Sequence, residues 1–326
     1  MDSFTILISI LSSIIAFVTS IILTRKLIPI LKKQNIVNHD LNKKERPLIP
    51  EMGGIGVIFA FFLGMNFFLF LITSMDFPFL EITLFTIMGV VFVGIMDDLL
   101  NLSQLIKSIL PFIIAIPLGI GLSNEISLTL PFFGSTDLGW WTILLVPLGI
   151  TAIANLTNML EGFNGLGSGL GIIVTSTLII ISFITRELDG LYLLIPLLGA
   201  LIGFFYYNKY PSKIFPGDTL TFFQGATIGC AAIIGNLKTI AAILYLPMLA
   251  EFILKARGRF PAKNHGIITD DGTLTYDGKV FSLSHLLMKN FKVTEKRLVA
   301  LLWTMEAILC VVMILVVFWL GPEYAW

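Results

Sequence analysis

Charge is what this sequence has least of. Only 13% of its 326 residues are Asp, Glu, Lys or Arg, against about 25% in an average soluble domain, while 56% are hydrophobic. That balance excludes an ordinary soluble enzyme and points to an integral membrane protein. Cysteine is nearly absent as well. Cys230 and Cys310 each stand alone inside an apolar segment, which excludes a disulfide framework and a cysteine-based metal site. The formal net charge is zero and by itself says nothing about partners; nucleic acid is not among those expected. The first apolar segment has neither a basic n-region nor an A-x-A-like cleavage site, so it reads as a retained span rather than a signal peptide.

Apolar runs, by contrast, recur from end to end. Segments long enough to cross a bilayer, about 20 residues each, fall at 3–23, 53–73, 79–96, 105–123, 139–158, 169–185, 191–207, 218–235, 238–254 and 298–320. The expected fold class is therefore an all-α polytopic membrane protein of about ten transmembrane helices, one domain over 1–326. Basic loops stay on the cytoplasmic side. With the N-terminus outside, the inner loops 24–52, 97–107, 159–168, 208–217 and 255–297 hold 19 of the 21 Lys and Arg residues, leaving Arg186 and Lys238 outside. The last of these loops is a cytoplasmic subdomain, with a hairpin expected around Tyr276-Asp277-Gly278 and a short interfacial helix over 283–292 that places Leu283, Leu286 and Leu287 on its apolar side.

The inner loops also hold the costly polar residues. Ala154 to Gly165 packs amides, a carboxylate and glycines between two apolar runs. Asn155 and Asn158 lie one helical turn apart and share a face. Either amide alone fits a helix–helix hydrogen bond, but Glu161 adds a hard oxygen, and Gly162 and Gly165 allow close backbone approach. Asp97 and Asp98 are adjacent acids at a span end, where like charges raise each other's pKa; a cation or a phosphate-bound metal relieves that, and the bland alternative is acids at the water boundary. Lys107 can return its ammonium to them across the turn at Asn101. Loop one, with His39-Asp40, Arg46-Pro47 and Pro50-Glu51, is equally a solvated basic loop or a ligand loop folded back by its prolines. Pro216-Gly217 sets Phe215 and Asp218 on either side of a tight turn, an aromatic face beside a carboxylate that suits a nucleotide. Tyr206, Tyr207 and Tyr210 read as interfacial belt residues. The Arg257/Arg259 pair either grips a pyrophosphate or retains the loop inside.

Taken together, DLNKKERPLIPEMGG (40–54), DDLLNLSQLIK (97–107), NLTNMLEGFNGL (155–166), FYYNKYPSKIFPGDT (205–219) and RGRFP (257–261) resemble the polyprenyl-phosphate N-acetylhexosamine-1-phosphate transferase superfamily. Within it the chain looks most like the archaeal and eukaryotic UDP-GlcNAc:dolichyl-phosphate GlcNAc-1-phosphotransferases. The resemblance implies transfer of GlcNAc-1-phosphate from UDP-GlcNAc to dolichyl or polyprenyl phosphate, releasing UMP, as the first step of lipid-linked oligosaccharide assembly for N-glycosylation. It implies Mg²⁺, with Mn²⁺ as the other candidate, held by Asn158 and Asp218 with Asp98 close by. Phe215 and Asn164 would recognise uracil, Glu51 the nucleotide-sugar, and Lys107, Arg257 and Arg259 the phosphate oxygens; Asp97 and Asn155 would sit near the acceptor phosphate. Two departures bear on the sugar: Gly258 stands where eukaryotic relatives have histidine, which His265 would have to replace, and Glu161 has no settled counterpart. Another UDP-N-acetylhexosamine is the alternative donor. An archaeal cell membrane is favoured over endoplasmic reticulum, with the active site cytoplasmic and a homodimer as a candidate assembly. The rival of a different class is a secondary transporter, which would need polar sites at mid-bilayer in two related halves; no internal repeat is present.

Overall fold

The computed structural model describes residues 3–72, 77, 79–123, 125, 127–130, 134–260 and 264–321. In chain order, α1 (Ser3–Lys33) leads into a ladder of β1 (Val37–His39) and β2 (Leu48–Pro50), followed by α2 (Gly54–Leu71), α3 (Leu80–Leu100) and α4 (Gln104–Gly121). A second ladder, β3 (Ser127–Leu130) with β4 (Gly134–Asp137), precedes α5 (Thr142–Met159), α6 (Leu166–Thr185), α7 (Leu191–Asn208) and α8 (Gly217–Ile234). Then come the pair α9 (Lys238–Leu244) and α10 (Leu246–Arg257), the hairpin β5 (Ile267–Ile268) and β6 (Leu274–Thr275), α11 (Leu283–Asn290) and α12 (Glu295–Leu320).

Among the described residues, eight helices are long and apolar enough to cross a membrane, or nine if α9 and α10, bent by 57°, form one span. The sequence reading expects ten, and the difference is α8. This helix carries Asp218, Thr221, Gln224 and Thr227, yet every residue from Thr219 to Ala232 is buried. It packs against α2, α3, α5 and α7, so it meets other helices instead of lipid and its polar groups find partners inside the protein. Thr227 Oγ1 donates to Phe223 O at 2.8 Å, and Gln224 Nε2 to Gly167 O at 3.3 Å. The contact with α3 is close: a Cβ on Gly94 would stand 2.7 Å from Asp218 O. The outer helices show the reverse pattern. Leu7, Ile14 and Val18 on α1 and Ile308, Leu315 and Phe318 on α12 are exposed, as a lipid-facing surface requires. Exposed Trp140 and Trp141 stack at 4.1 Å between centroids just before α5, in the manner of an interfacial aromatic belt.

The polar connections meet at one end of this bundle. Val37 pairs with Pro50 and His39 with Leu48, and the β2 end is stitched to the turn before α8 by Phe215 N–H to Pro50 O (2.7 Å), Gly53 N–H to Phe215 O (2.9 Å) and Gly54 N–H to Pro216 O (2.9 Å). Asn264 Nδ2 donates to Glu161 O at 2.7 Å and to Met159 O at 3.2 Å, and the Lys255 ammonium also donates to Met159 O, so the last loop grips the segment after α5. At the opposite end Asn236 joins Glu187 (3.0 Å) to Lys238.

The last loop differs from its sequence reading in two ways. Its hairpin reverses at 269–273, with Ile267 opposite Thr275 and Ile268 opposite Leu274, and not at Tyr276–Gly278. Asp271 decides this by accepting from Thr273 N (3.1 Å) and Thr273 Oγ1 (2.7 Å) as well as from Thr269 Oγ1. The short helix α11 buries Ser284, His285 and Met288 and leaves Leu286 exposed. Its docking face is set by buried Glu251, which accepts from Ser282 Oγ (3.0 Å) and Leu283 N (2.7 Å) at the helix start.

Candidate active site

Asp97 and Asp98 are consecutive on α3 and therefore point roughly 100° apart. Asp97 is buried; its Oδ1 accepts from Leu102 N at 2.8 Å and its Oδ2 pairs with the Lys107 ammonium. Lys107, in the first turn of α4, reaches Asp218 Oδ2 at 3.0 Å as well, and Asp218 lies within hydrogen-bonding reach of both Asp97 and Asn158. Asp98 turns the other way and caps α8: its Oδ1 accepts from Asp218 N at 2.7 Å and its Oδ2 from Thr219 N at 2.9 Å and Thr219 Oγ1 at 2.5 Å. A carboxylate there meets the unpaired N–H groups and the positive end of the helix. Gly217 makes the fit, with φ of 71° and no Cβ, since a Cβ would stand 2.5 Å from Asp98 Oδ2. Asn155 Nδ2 donates to Lys107 O (3.2 Å) and Thr151 O (3.0 Å), fastening α4 to α5.

Above this cluster opens a cavity of about 170 Å³ whose wall includes Glu51, Glu161, Asn164, Phe215, Asp218 and His265. Burial pushes the Glu51 carboxyl up, with the Asn38 amide opposing, and pushes Glu161 up to about 7 against the N–H groups of Gly167 and Gly162. Asn164 is almost fully enclosed: its Oδ1 accepts from Ser212 N at 2.6 Å, its Nδ2 donates to Asp40 Oδ2 at 3.2 Å, and its own N–H donates to Glu295 Oε1 at 2.8 Å. A second hollow, of about 380 Å³, is apolar. It runs between α5, α8 and the α9–α10 bend, from Leu156 and Leu249 near the acidic cluster to Leu138 and Lys238 towards the far end.

The structure thus gathers Asp97, Asp98, Lys107, Asn155, Asn158 and Asp218 into one cluster and sets Glu51, Asn164 and Phe215 around the adjoining cavity. Arg257 and Arg259 are exposed, line neither hollow, and make no ion pair among the described residues; residues 261–263 of that motif lie outside the described part. Gly258 has no room for an imidazole, because a Cβ there would meet the Phe281 ring at 2.9 Å, whereas His265 does line the cavity. Asp40 belongs to the candidate ligand loop but carries no role of its own in the sequence, and Thr219, Ser212 and Glu295 are not singled out there at all. Thr219 adjoins Asp218; nothing local marks Glu295, whose partners lie more than a hundred residues away.

The donor set suits a hard divalent cation. Asp97 and Asp218 are carboxylates in mutual contact, Asn158 adds an amide, and Lys107 is, among the described residues, the one ammonium paired with these acids. Among the described residues no three His, Cys, Asp or Glu side chains are grouped to hold a metal unaided. That is compatible with Mg²⁺, which takes one or two carboxylates together with substrate phosphates.

The profile of glycosyl transferase family 4 matches residues 80–236. A protein of Saccharolobus solfataricus, provisionally named a UDP-N-acetylglucosamine–dolichyl-phosphate N-acetylglucosaminephosphotransferase, is 37% identical over 313 residues, 95% of this chain and 97% of its own. A protein of the same provisional name from Sulfolobus acidocaldarius is 37% identical over 314 residues, 93% of this chain and 95% of its own. A more distant one from Bacillus subtilis, provisionally named an undecaprenyl-phosphate N-acetylglucosaminyl 1-phosphate transferase, is 28% identical over 236 residues, 70% of this chain and 64% of its own.

Proposed function

The chain belongs to glycosyl transferase family 4, and on that premise we propose that it transfers GlcNAc-1-phosphate from UDP-GlcNAc to dolichyl or another polyprenyl phosphate. The products are UMP and a lipid-linked pyrophosphoryl sugar, the first intermediate of lipid-linked oligosaccharide assembly for N-glycosylation. The observation that carries this reading is the Lys107 ammonium held between Asp97 and Asp218 directly beneath a cavity walled by Phe215 and Glu51, with an apolar groove arriving beside it. A polar cavity for a nucleotide-sugar and a groove for a prenyl chain converge on one charged cluster. Membership of a transferase family, with Asp97, Lys107 and Asp218 gathered at the loop end of the bundle, favours the transferase over a secondary transporter.

In this reaction an oxygen of the acceptor phosphate attacks the sugar-linked phosphorus, and the bond from that phosphorus to the oxygen shared with UMP breaks. A phosphate monoester has a second pKa near 6, so the acceptor is already anionic at neutral pH and needs little base catalysis. Alignment and charge neutralisation do most of the work. Asp218 and Asn158, with Asp97 in reach instead of the Asp98 that the resemblance implies and that here accepts from the start of α8, would hold Mg²⁺ or Mn²⁺, which when bound would neutralise charge on the donor diphosphate. Lys107 supplies a fixed positive charge to the phosphates, and Asn155 holds the start of α4 that carries it. Phe215 offers its ring to uracil, Asn164 its amide, and Glu51 and His265 face the nucleotide-sugar. Arg257 and Arg259, exposed and without an ion pair among the described residues, would reach phosphate oxygens only on moving from their present place outside the cavity. The groove takes the isoprenoid along Ile153, Leu156 and Tyr245. Counting α8, the chain makes ten passes with the N-terminus outside and the site facing the cytoplasm, in the cell membrane as befits its archaeal relatives.

The test is a transfer assay on purified protein with radiolabelled UDP-N-acetylhexosamines in parallel, a short polyprenyl phosphate and Mg²⁺ or Mn²⁺. Label from UDP-GlcNAc should enter the organic phase with release of UMP, and Asp218→Asn should abolish it. Absence of lipid-linked product from every donor would reject the reading.

A further inference from the structure

Asn164 sits on the cavity wall beside Phe215 with only 3% of its surface exposed, and the surroundings of its amide are not symmetrical. On one side is the Ser212 backbone N–H, 2.6 Å from Oδ1, a group that can only donate. On the other is the Asp40 carboxylate, 3.2 Å from Nδ2, a group that only accepts when ionised. Turning the amide over would set an NH₂ against an N–H and a carbonyl against a carboxylate. Asp40 cannot move to relieve this. It is 3% exposed, its Oδ1 accepts from Asn42 N at 3.2 Å, and its Oδ2 is held by Lys43 Nζ at 3.0 Å. The same ammonium pairs with Glu295 Oε2 at 2.5 Å, and Glu295 Oε1 takes the Asn164 backbone N–H at 2.8 Å. Side chain and backbone of Asn164 are thereby fixed by one ion-paired network that joins loop one to the start of α12.

A primary amide has two N–H groups and two carbonyl lone pairs. The network uses one of each, so one N–H and one lone pair remain, in an order the amide cannot reverse. Uracil and cytosine differ in this respect at neighbouring positions. Uracil offers a donor at N3 and an acceptor at O4; cytosine offers an acceptor at N3 and a donor at N4. An amide free to turn over can match either base, whereas a locked amide matches one. Resting on the reading of this cavity as the donor's nucleotide site, we propose that Asp40 is a specificity-determining positioning residue. It locks the Asn164 amide in the orientation that accepts a uracil edge and refuses a cytosine edge, acting through that amide although Asp40 also borders the cavity.

The experiment measures inhibition constants of UMP and CMP against the transfer reaction, and the melting temperature with each nucleotide, for full-length protein with Mg²⁺. Wild type should prefer UMP. Asp40→Asn replaces an acceptor by a group that can donate or accept, and Asp40→Ser does the same with a hydroxyl. Either should cut the UMP-over-CMP preference about tenfold, equivalent to about 1.4 kcal/mol, mainly by weakening UMP. Glu295→Gln, which keeps an acceptor for the Asn164 N–H, should leave the preference standing. An unchanged preference in a folded Asp40 variant overturns the proposal, as does failure of both variants to fold, which would assign Asp40 to stability alone. Wild-type protein that binds neither nucleotide would instead overturn the nucleotide-site reading, and this proposal with it.

Discussion

Phe215 joins two roles. Its N–H and carbonyl make the joint with Pro50 and Gly53, and the residue lines the cavity, so truncation removes the ring and leaves the joint. Stacking of a base on an aromatic ring is worth about 1–3 kcal/mol. Phe215→Ala should therefore raise the KM for UDP-GlcNAc roughly ten- to hundredfold and change the acceptor's KM less. An interaction shared by ground and transition states leaves kcat nearly intact. An unchanged donor KM with a lowered melting temperature would make Phe215 a packing residue only. Glu161 offers a pH test at the same scale. Its carboxyl is pushed up to about 7 by burial, above the usual value near 4.3. A raised acid contributes stability that is complete below about pH 4.3 and lost as pH rises through about 7, in total roughly 3–4 kcal/mol. Glu161→Gln in substrate-free protein should flatten the melting temperature across that window and raise it above pH 7; a profile parallel to wild type would count against the buried carboxyl. The polar residues that gather at the candidate site were legible because polar groups are expensive between apolar runs. Their division of labour was not. Asp97 and Asp98 look interchangeable in sequence, and only the position of α8 separates the ion pair from the cap.

The junction of α3 with α8 is where that separation can be tested. Asp98 satisfies the first N–H groups of α8 from another helix, and leaving buried donors unpaired costs about 1–3 kcal/mol. Asp98→Ala should lower the melting temperature and with it transfer, whereas Asp98→Asn keeps an acceptor and should cost less. Asp218→Asn should leave the melting temperature near wild type while abolishing transfer. Equal stability loss in Asp98→Ala and Asp218→Asn would remove the distinction between cap and ligand. At this scale apolar run length located the outer helices well, because lipid demands continuous hydrophobicity. It also marked 218–235, where α8 forms, although the Thr and Gln that a helix wrapped by other helices is free to carry make that helix less apolar than the outer ones. The hairpin was ambiguous for a local reason. Asp271-Gly272 and Asp277-Gly278 are equal turn signals, and the flanking Thr269 and Thr273, which close on Asp271, decide between them. The face that α11 buries was hidden altogether, because its partner Glu251 lies about thirty residues earlier on a different helix.

At the scale of the whole molecule, the sorting of 19 of the 21 basic residues into alternate loops and the meeting of those loops at one end of the bundle are separate observations that agree. The first concerns charge and translocation; the second concerns hydrogen bonds. Lys44 Nζ lies 3.2 Å from Asp270 Oδ1, so positions 45 and 270, far apart in sequence, must face the same compartment. Cys230 and Cys310 are free and buried, and replacing both by alanine gives a background for single-cysteine probes. Glu45→Cys and Asp270→Cys change exposed residues, and the surface ion pair lost with Asp270 is worth about 0–1 kcal/mol, so the fold should survive both. In intact cells neither should react with a membrane-impermeant thiol reagent, and both should react once the membrane is opened. Asp189→Cys, exposed at the opposite end of the bundle, should react in intact cells. Labelling of 45 and 270 from outside, with 189 protected, would turn the protein over and place the acidic cluster on the outer face. Labelling of one but not the other would contradict the packing of loop one against the last loop.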